Sequence, residues 1–210
     1  MTRSRVMVKQ VVVIGLVLSV LLIDVSCASK TQSQVVIVGD SLSALGAPVI
    51  TQELEAAGWS VSIDATAGLT VGDQLATLEQ AALGSSDAIV VQLGTNDVLQ
   101  QAAGKLSAEA SSQAVDKALE LLGSHCVVWV NVDADPTRPG KGTGLDFNAK
   151  LAQEAELRSN LYLVDLDGLI DSDPSLMGGD QVHLEVVGSI ALGRKIAEQI
   201  NHCRVRSAPR

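Results

Sequence analysis

Five short, largely β-branched apolar runs recur along the chain, each followed by a longer stretch that is apolar at helical spacing. That alternation leaves few folds open. The runs cover 35–39, 60–65, 88–93, 126–132 and 161–166, and the helical stretches 42–57, 71–83, 107–122, 145–158 and 186–201. Val35-Val36-Ile37-Val38 and Val127-Val128-Trp129-Val130 are apolar at every position rather than at alternate ones, as strands covered on both faces must be. Strands joined by helices pair in parallel, and right-handed crossovers lay the helices on both sides of the sheet. The expected fold is α/β: a three-layer α/β/α sandwich on a five-stranded parallel sheet in flavodoxin-like order 2-1-3-4-5. The first and third strands then meet at the switch point, where ligands bind at the carboxyl edge. Trp59 and Trp129 adjoin or lie within apolar strands and read as core.

Before the first run stands a segment with the pattern of an export signal. Arg3, Arg5 and Lys9 precede an apolar run from Val11 to Ile23, too short to span a bilayer comfortably, and Ser26-Cys27-Ala28 offers small residues for cleavage after Ala28. A lipoprotein modified at Cys27 and an uncleaved anchor are the alternatives. The expected organisation is a signal segment over 1–28, one domain over 29–203 and a short basic tail over 204–210, expected to be disordered. The product would be secreted or attached to the cell envelope, monomeric, and in contact with membrane only through its N-terminus. Cleavage would leave Cys126 and Cys203, an even number in an oxidising compartment. Crossover helices run antiparallel to the strands, so the end of the last helix and the start of the fourth strand share one end of the sheet. A Cys126–Cys203 disulfide fits there, away from the carboxyl edge. A net charge of −9 argues against nucleic acid as a partner, and aromatics at 2% leave few platforms for stacking sugars or bases.

The carboxyl edge gathers the polar residues. Ser41 follows the first strand, where a hydroxyl serves either as a helix cap or as a nucleophile. Gly68 lies beyond the second strand and Gly94-Thr95-Asn96-Asp97 beyond the third; Asp180-Gln181-Val182-His183 comes after the fifth, with a carboxylate three residues before an imidazole. Each has an ordinary reading: a turn glycine, caps at Asn96 and Asp97, a surface ion pair at Asp180 and His183, and loop bonding by Asp40. Together they supply what acyl transfer needs: a nucleophile, a base whose tautomer a carboxylate fixes, and donors for a developing oxyanion.

The order and context of these blocks are similar to the SGNH (GDSL) hydrolases over about residues 35–200. Gly39-Asp40-Ser41-Leu42 stands as the first block, Gly68 in the second, Gly94-Thr95-Asn96-Asp97 as the third and Asp180-Gln181-Val182-His183 as the fifth. The sequence departs from the pattern at Leu184, where proline is frequent, and in lacking an asparagine shortly before Gly68. The resemblance implies a serine esterase with Ser41 as nucleophile, His183 as base and Asp180 as its orienter. Its oxyanion hole would be the backbone N–H of Ser41 and Gly68 with the amide of Asn96, and neither cofactor nor metal is implied. The substrate would be a glycan ester, a lipid ester or a thioester, with specificity in the loops 98–106, 133–144 and 167–179.

Other readings fit less well. An α/β-hydrolase needs Gly-x-Ser-x-Gly, whereas Gly39-Asp40-Ser41-Leu42-Ser43 lacks the last glycine. A phosphate loop over Gly39–Gly46 lacks its lysine. A non-catalytic exported glycan-binding protein on the same fold is the alternative outside enzymes; the intact Ser41, His183 and Asp180 set argues against it.

Overall fold

The computed structural model describes residues 32–135, 137, 138, 140 and 142–207, the last four by their backbone alone. The segment read as an export signal, Cys27 within it, and residues 208–210 lie outside the described residues. Five strands, β1 (Ser33–Gly39), β2 (Trp59–Ala65), β3 (Ala88–Gln92), β4 (Val127–Val130) and β5 (Leu161–Val164), form one sheet in the order β2-β1-β3-β4-β5, every pair parallel. This is the expected order. Val35 of β1 lies level with Val61 of β2 on one side and Ala88 of β3 on the other, so the first strand is flanked by backbone on both edges.

Helices cover both faces. Helices α1 (Ser41–Ala56), α6 (Leu166–Ser172) and α7 (Val186–Ser207) close one core, where Ile37, Ile50, Leu54, Ile170, Leu192 and Ile196 are at most 1% exposed. Helices α2 (Leu75–Leu83), α3 (Thr95–Ala102), α4 (Ala108–Leu122) and α5 (Gly144–Leu157) close the other around Val38, Ile89, Val91, Val115 and Leu151. Successive residues of β1, Ile37 and Val38, thus enter opposite cores, as the pleat requires. Trp59 and Trp129 are fully buried, as expected.

Three details correct the sequence reading. The stretch 98–106 is not all loop, since α3 occupies it as far as Ala102. The stretch 167–179 holds most of α6 and a 3₁₀ turn over Pro174–Leu176. Helix α7 continues to Ser207, so the first four residues of the stretch read as a tail are helical.

Helices α1 and α7 pack in parallel at close range because small residues face each other. A Cβ at Gly46 would lie 3.1 Å from Ser189 Oγ, and one at Gly193 3.2 Å from the Ile50 Cα. A turn further on, Arg194 Nε donates to Glu53 Oε2 at 3.1 Å. The packing sets the first turn of α1 beside the first turn of α7. At the opposite end of the sheet Cys126 and Cys203 form the expected disulfide, closing a separation of 77 residues, and His202 stacks on Tyr162 with ring centroids 5.1 Å apart.

Candidate active site

Asp40, not Ser41, caps α1. Its Oδ1 accepts from the Leu42 N–H at 3.0 Å, which relieves one of the donors that a helix start leaves unpaired. Ser41 becomes the first helical residue, and its hydroxyl is left for another partner. Asp40 is 1% exposed, and its second oxygen, Oδ2, accepts from Asn96 Nδ2 at 3.2 Å. Burial pushes the Asp40 carboxyl up to about 6, against the opposing pull of the Leu42 N–H, the His183 charge and the Asn96 amide.

The partner of Ser41 is His183, from the other end of the chain. His183 Nε2 lies 2.9 Å from Ser41 Oγ, and His183 Nδ1 lies 2.7 Å from Asp180 Oδ2. Asp180 Oδ1 also accepts from the backbone N–H of Val182 and of His183, each at 2.9 Å. The bond from the His183 ring, then these two, hold the Asp180 carboxyl well below the usual carboxylate range. An ionised carboxylate has only acceptors, so the ring proton sits on Nδ1 and Nε2 faces the serine hydroxyl as an acceptor.

The loop carrying this pair is pinched shut. Gly178 N–H donates to the His183 carbonyl at 2.7 Å, Gln181 N–H to the Gly178 carbonyl at 2.9 Å, and Glu185 N–H to the Leu176 carbonyl at 2.8 Å. Gln181 takes a left-handed φ of 57°, a strained conformation that lets the carboxylate and the imidazole three residues later meet.

The other expected residues sit on neighbouring loops. Gly68 is an exposed residue of the β2–α2 loop with φ +83°, and a Cβ there would meet nothing within 4 Å. Thr66 N–H and Gln74 Nε2 both donate to the Gly39 carbonyl, at 3.1 and 3.2 Å, tying the two ends of that loop to the end of β1. Asn96 is the second residue of α3, turned towards Asp40 as described. Asp97 was expected to cap a helix and does not. It lies fully buried in the first turn of α3, where it accepts from the Val71 N–H at 2.9 Å and from Ser111 Oγ at 3.0 Å.

Gly94 sets where α3 begins. Its φ is +128°, and a Cβ would run into the Phe147 ring and lie 2.9 Å from Val132 Cγ1. Gly94→Ala should therefore lose about 3 kcal/mol or more, from overpacking and backbone strain together. Chemical denaturation would read this as a lowered midpoint.

Hydrogen bonds thus join Ser41, His183 and Asp180 in one set and Asp40 and Asn96 in another, while Gly68 is placed by its loop. His125 and His202 belong to the far end with the disulfide. A cleft of about 370 Å³ between β5, α6 and α7, lined by Leu163, Gly168 and Lys195 among others, includes none of these residues. Two links had no signal in the sequence. Asp40 and Asn96 are 56 residues apart and Val71 and Asp97 26, so no local spacing announces either pair.

No protein-family model and no curated protein matches the sequence. Solved structures do match. The C-terminal catalytic domain of Streptococcus pneumoniae peptidoglycan O-acetyltransferase A aligns with a TM-score of 0.68 at 16% identity, over 83% of this chain and 96% of that one. TesA gives 0.68 at 18%, over 81% and 99%. A Clostridium thermocellum family 3 carbohydrate esterase gives 0.66 at 16%, over 84% and 99%. At such identities the likeness concerns architecture, and the chain has the SGNH (GDSL) hydrolase fold.

Proposed function

We propose that this chain is an exported serine hydrolase that cleaves carboxylic esters through an acyl-enzyme. The observation that carries the reading is the continuous relay Asp180–His183–Ser41, with a 2.7 Å contact within the loop and a 2.9 Å contact between residues 142 positions apart in sequence. A hydroxyl is a poor nucleophile unless a base takes its proton. In this reading Ser41 Oγ attacks the ester carbonyl carbon as its proton passes to His183 Nε2, and Asp180 stabilises the imidazolium. The carbonyl oxygen becomes an anion that the N–H groups of Ser41 and Gly68 and the free N–H of the Asn96 amide receive. Collapse breaks the bond to the alcohol, which takes the proton from His183, and water repeats the sequence on the acylated serine.

The substrate we infer is a short acyl group on a bulky carrier. Its basis is exposure: the side chain of Asp180 is 54% accessible and that of His183 34%, a relay at an open rim that a large molecule can approach. The test is labelling with a fluorophosphonate, followed by a series of p-nitrophenyl esters from acetyl to dodecanoyl with acetylated sugars included. One adduct at Ser41 and the highest kcat/KM for acetyl esters are expected. An unlabelled Ser41 together with no ester turnover would overturn the reading, and a rise in kcat/KM with chain length would overturn the short acyl group.

A further inference from the structure

The two donors assigned to the oxyanion come from different segments. Asn96 opens α3, and Gly68 stands on the β2–α2 loop. That loop is tied at both ends to the Gly39 carbonyl, by Thr66 N–H and by the Gln74 amide. Between those ties it makes one bond to α3. Val71, three residues beyond Gly68, donates its backbone N–H to Asp97 Oδ2 at 2.9 Å. Thr70 is folded back locally, its N–H and hydroxyl both donating to Asp73 Oδ2 at 3.0 and 2.7 Å, so the stretch approaching Val71 is stiff. The opposite oxygen of Asp97 is held from α4 by Ser111 Oγ at 3.0 Å.

From this geometry we infer that Asp97 is a positioning residue, a buried strut between α3 and the β2–α2 loop that fixes the Gly68 N–H relative to the Asn96 amide. The inference rests on the hydrolase reading above. Asp97 touches no reacting atom in that reading; it acts through Val71. Its neighbour Asn96 is oriented in turn by Asp40 at 3.2 Å, so adjacent residues secure the two donors by separate bonds. A carboxylate suits the task because one oxygen can take the loop N–H while the other takes a hydroxyl from a second helix. Burial pushes the Asp97 carboxyl up, a cost accepted at a position with no exposed surface. Oxyanion donors act only when correctly placed against the developing charge, so losing the strut should cost turnover far more than binding.

The test compares Asp97→Ala, Asp97→Asn and Asp97→Ser, with concentrations normalised by fluorophosphonate titration of Ser41. Asp97→Ala should lower kcat by about 10²-fold, the scale of one lost oxyanion donor, and leave KM within about threefold. Its affinity for a boronic acid that forms a tetrahedral adduct on Ser41 should fall in step with kcat. Asp97→Asn keeps an acceptor for Val71 and offers an amide to Ser111, so it should stay within about fivefold of the parent. Should the alanine variant not fold, Asp97→Ser, too short to reach Val71 yet polar in the buried site, is expected to show the same loss. A folded Ala or Ser variant with undiminished kcat and boronic-acid affinity overturns the strut. So does an Asp97→Asn loss as deep as that of alanine, since both hydrogen bonds survive there. Either result leaves the hydrolase reading intact; full turnover by Ser41→Ala would instead remove its foundation.

Discussion

Ser41→Ala is expected to lower kcat on p-nitrophenyl acetate by about 10⁴-fold or more, with His183→Ala falling to the same floor. The two act as one unit: a base without a nucleophile and a nucleophile without a base are equally idle, and such losses do not add. The double variant should therefore be no worse than either single one. Asp180→Ala should lose less, about 10³-fold, because the side chain of Asp180 is 54% accessible and water can partly replace it against the ring. Asp180 stays ionised below the pH at which an ordinary carboxylate takes up its proton, its carboxyl held well below the usual values by the ring and by two backbone N–H groups. Steady-state kinetics on the three variants, with circular dichroism to show that each is folded, checks the set. Substantial turnover by Ser41→Ala would assign the chemistry elsewhere.

How much of this was legible beforehand depends on where each element gets its stability. The inner strands announce themselves because doubly covered strands are apolar at nearly every position, whereas the edge strand β2 alternates Ser60, Ser62 and Asp64 with Val61 and Ile63. The order follows from the flavodoxin-like pattern, and the strands themselves could be read from the runs. Two helices could not. Helix α3 follows the left-handed Gly94 and begins Thr95-Asn96-Asp97, residues typical of turns; what holds it is tertiary, the burial of Val98 and the bonds of Asp97 to Val71 and Ser111. Helix α6 contains Gly168 and two aspartates. Its start is secured by the Asp165 cap on the Gly168 N–H and by Asn131 Oδ1, which accepts from Leu166 and Asp167 across a gap of more than thirty residues. Intrinsic propensity is a weak prior beside such partners. Ser41, His183 and Asp180 were legible for a different reason, because the carboxyl edge of a parallel sheet gathers whatever follows each strand. Asp40 bonds backbone as expected, through the Leu42 N–H, whereas Asp97 was misjudged because its partners, the Val71 N–H and Ser111, are brought to it only by the tertiary fold.

Asp40→Asn should make the protein more stable at pH 8 and much less active. In the folded chain the Asp40 carboxyl is pushed up to about 6 from its ordinary 3.8, chiefly by burial. The folded state therefore holds this proton more tightly than the unfolded one. The stability it contributes is fully present below 3.8 and is lost as pH rises through about 6, a difference of about 3 kcal/mol at most. Asparagine removes that titration while its carbonyl still caps the Leu42 N–H, so the gap between variant and parent should open between pH 4 and pH 7. Other carboxylates titrate in both proteins, and the difference isolates this one. The activity loss comes from Asn96. With the new carbonyl on Leu42, the new amide nitrogen lies where Oδ2 accepts from Asn96 Nδ2 at 3.2 Å, setting donor against donor. Asn96 relieves the conflict by turning over, which presents its carbonyl oxygen to the developing oxyanion in place of an N–H. A loss of about 10²–10³ in kcat is expected, with thermal unfolding at pH 4 and pH 8 giving the stability half of the result. A variant as active as the parent would show that the carboxylate does not set the orientation of Asn96. The stabilised but slowed protein expected here would show that the buried charge is retained at a cost in stability because the site needs it.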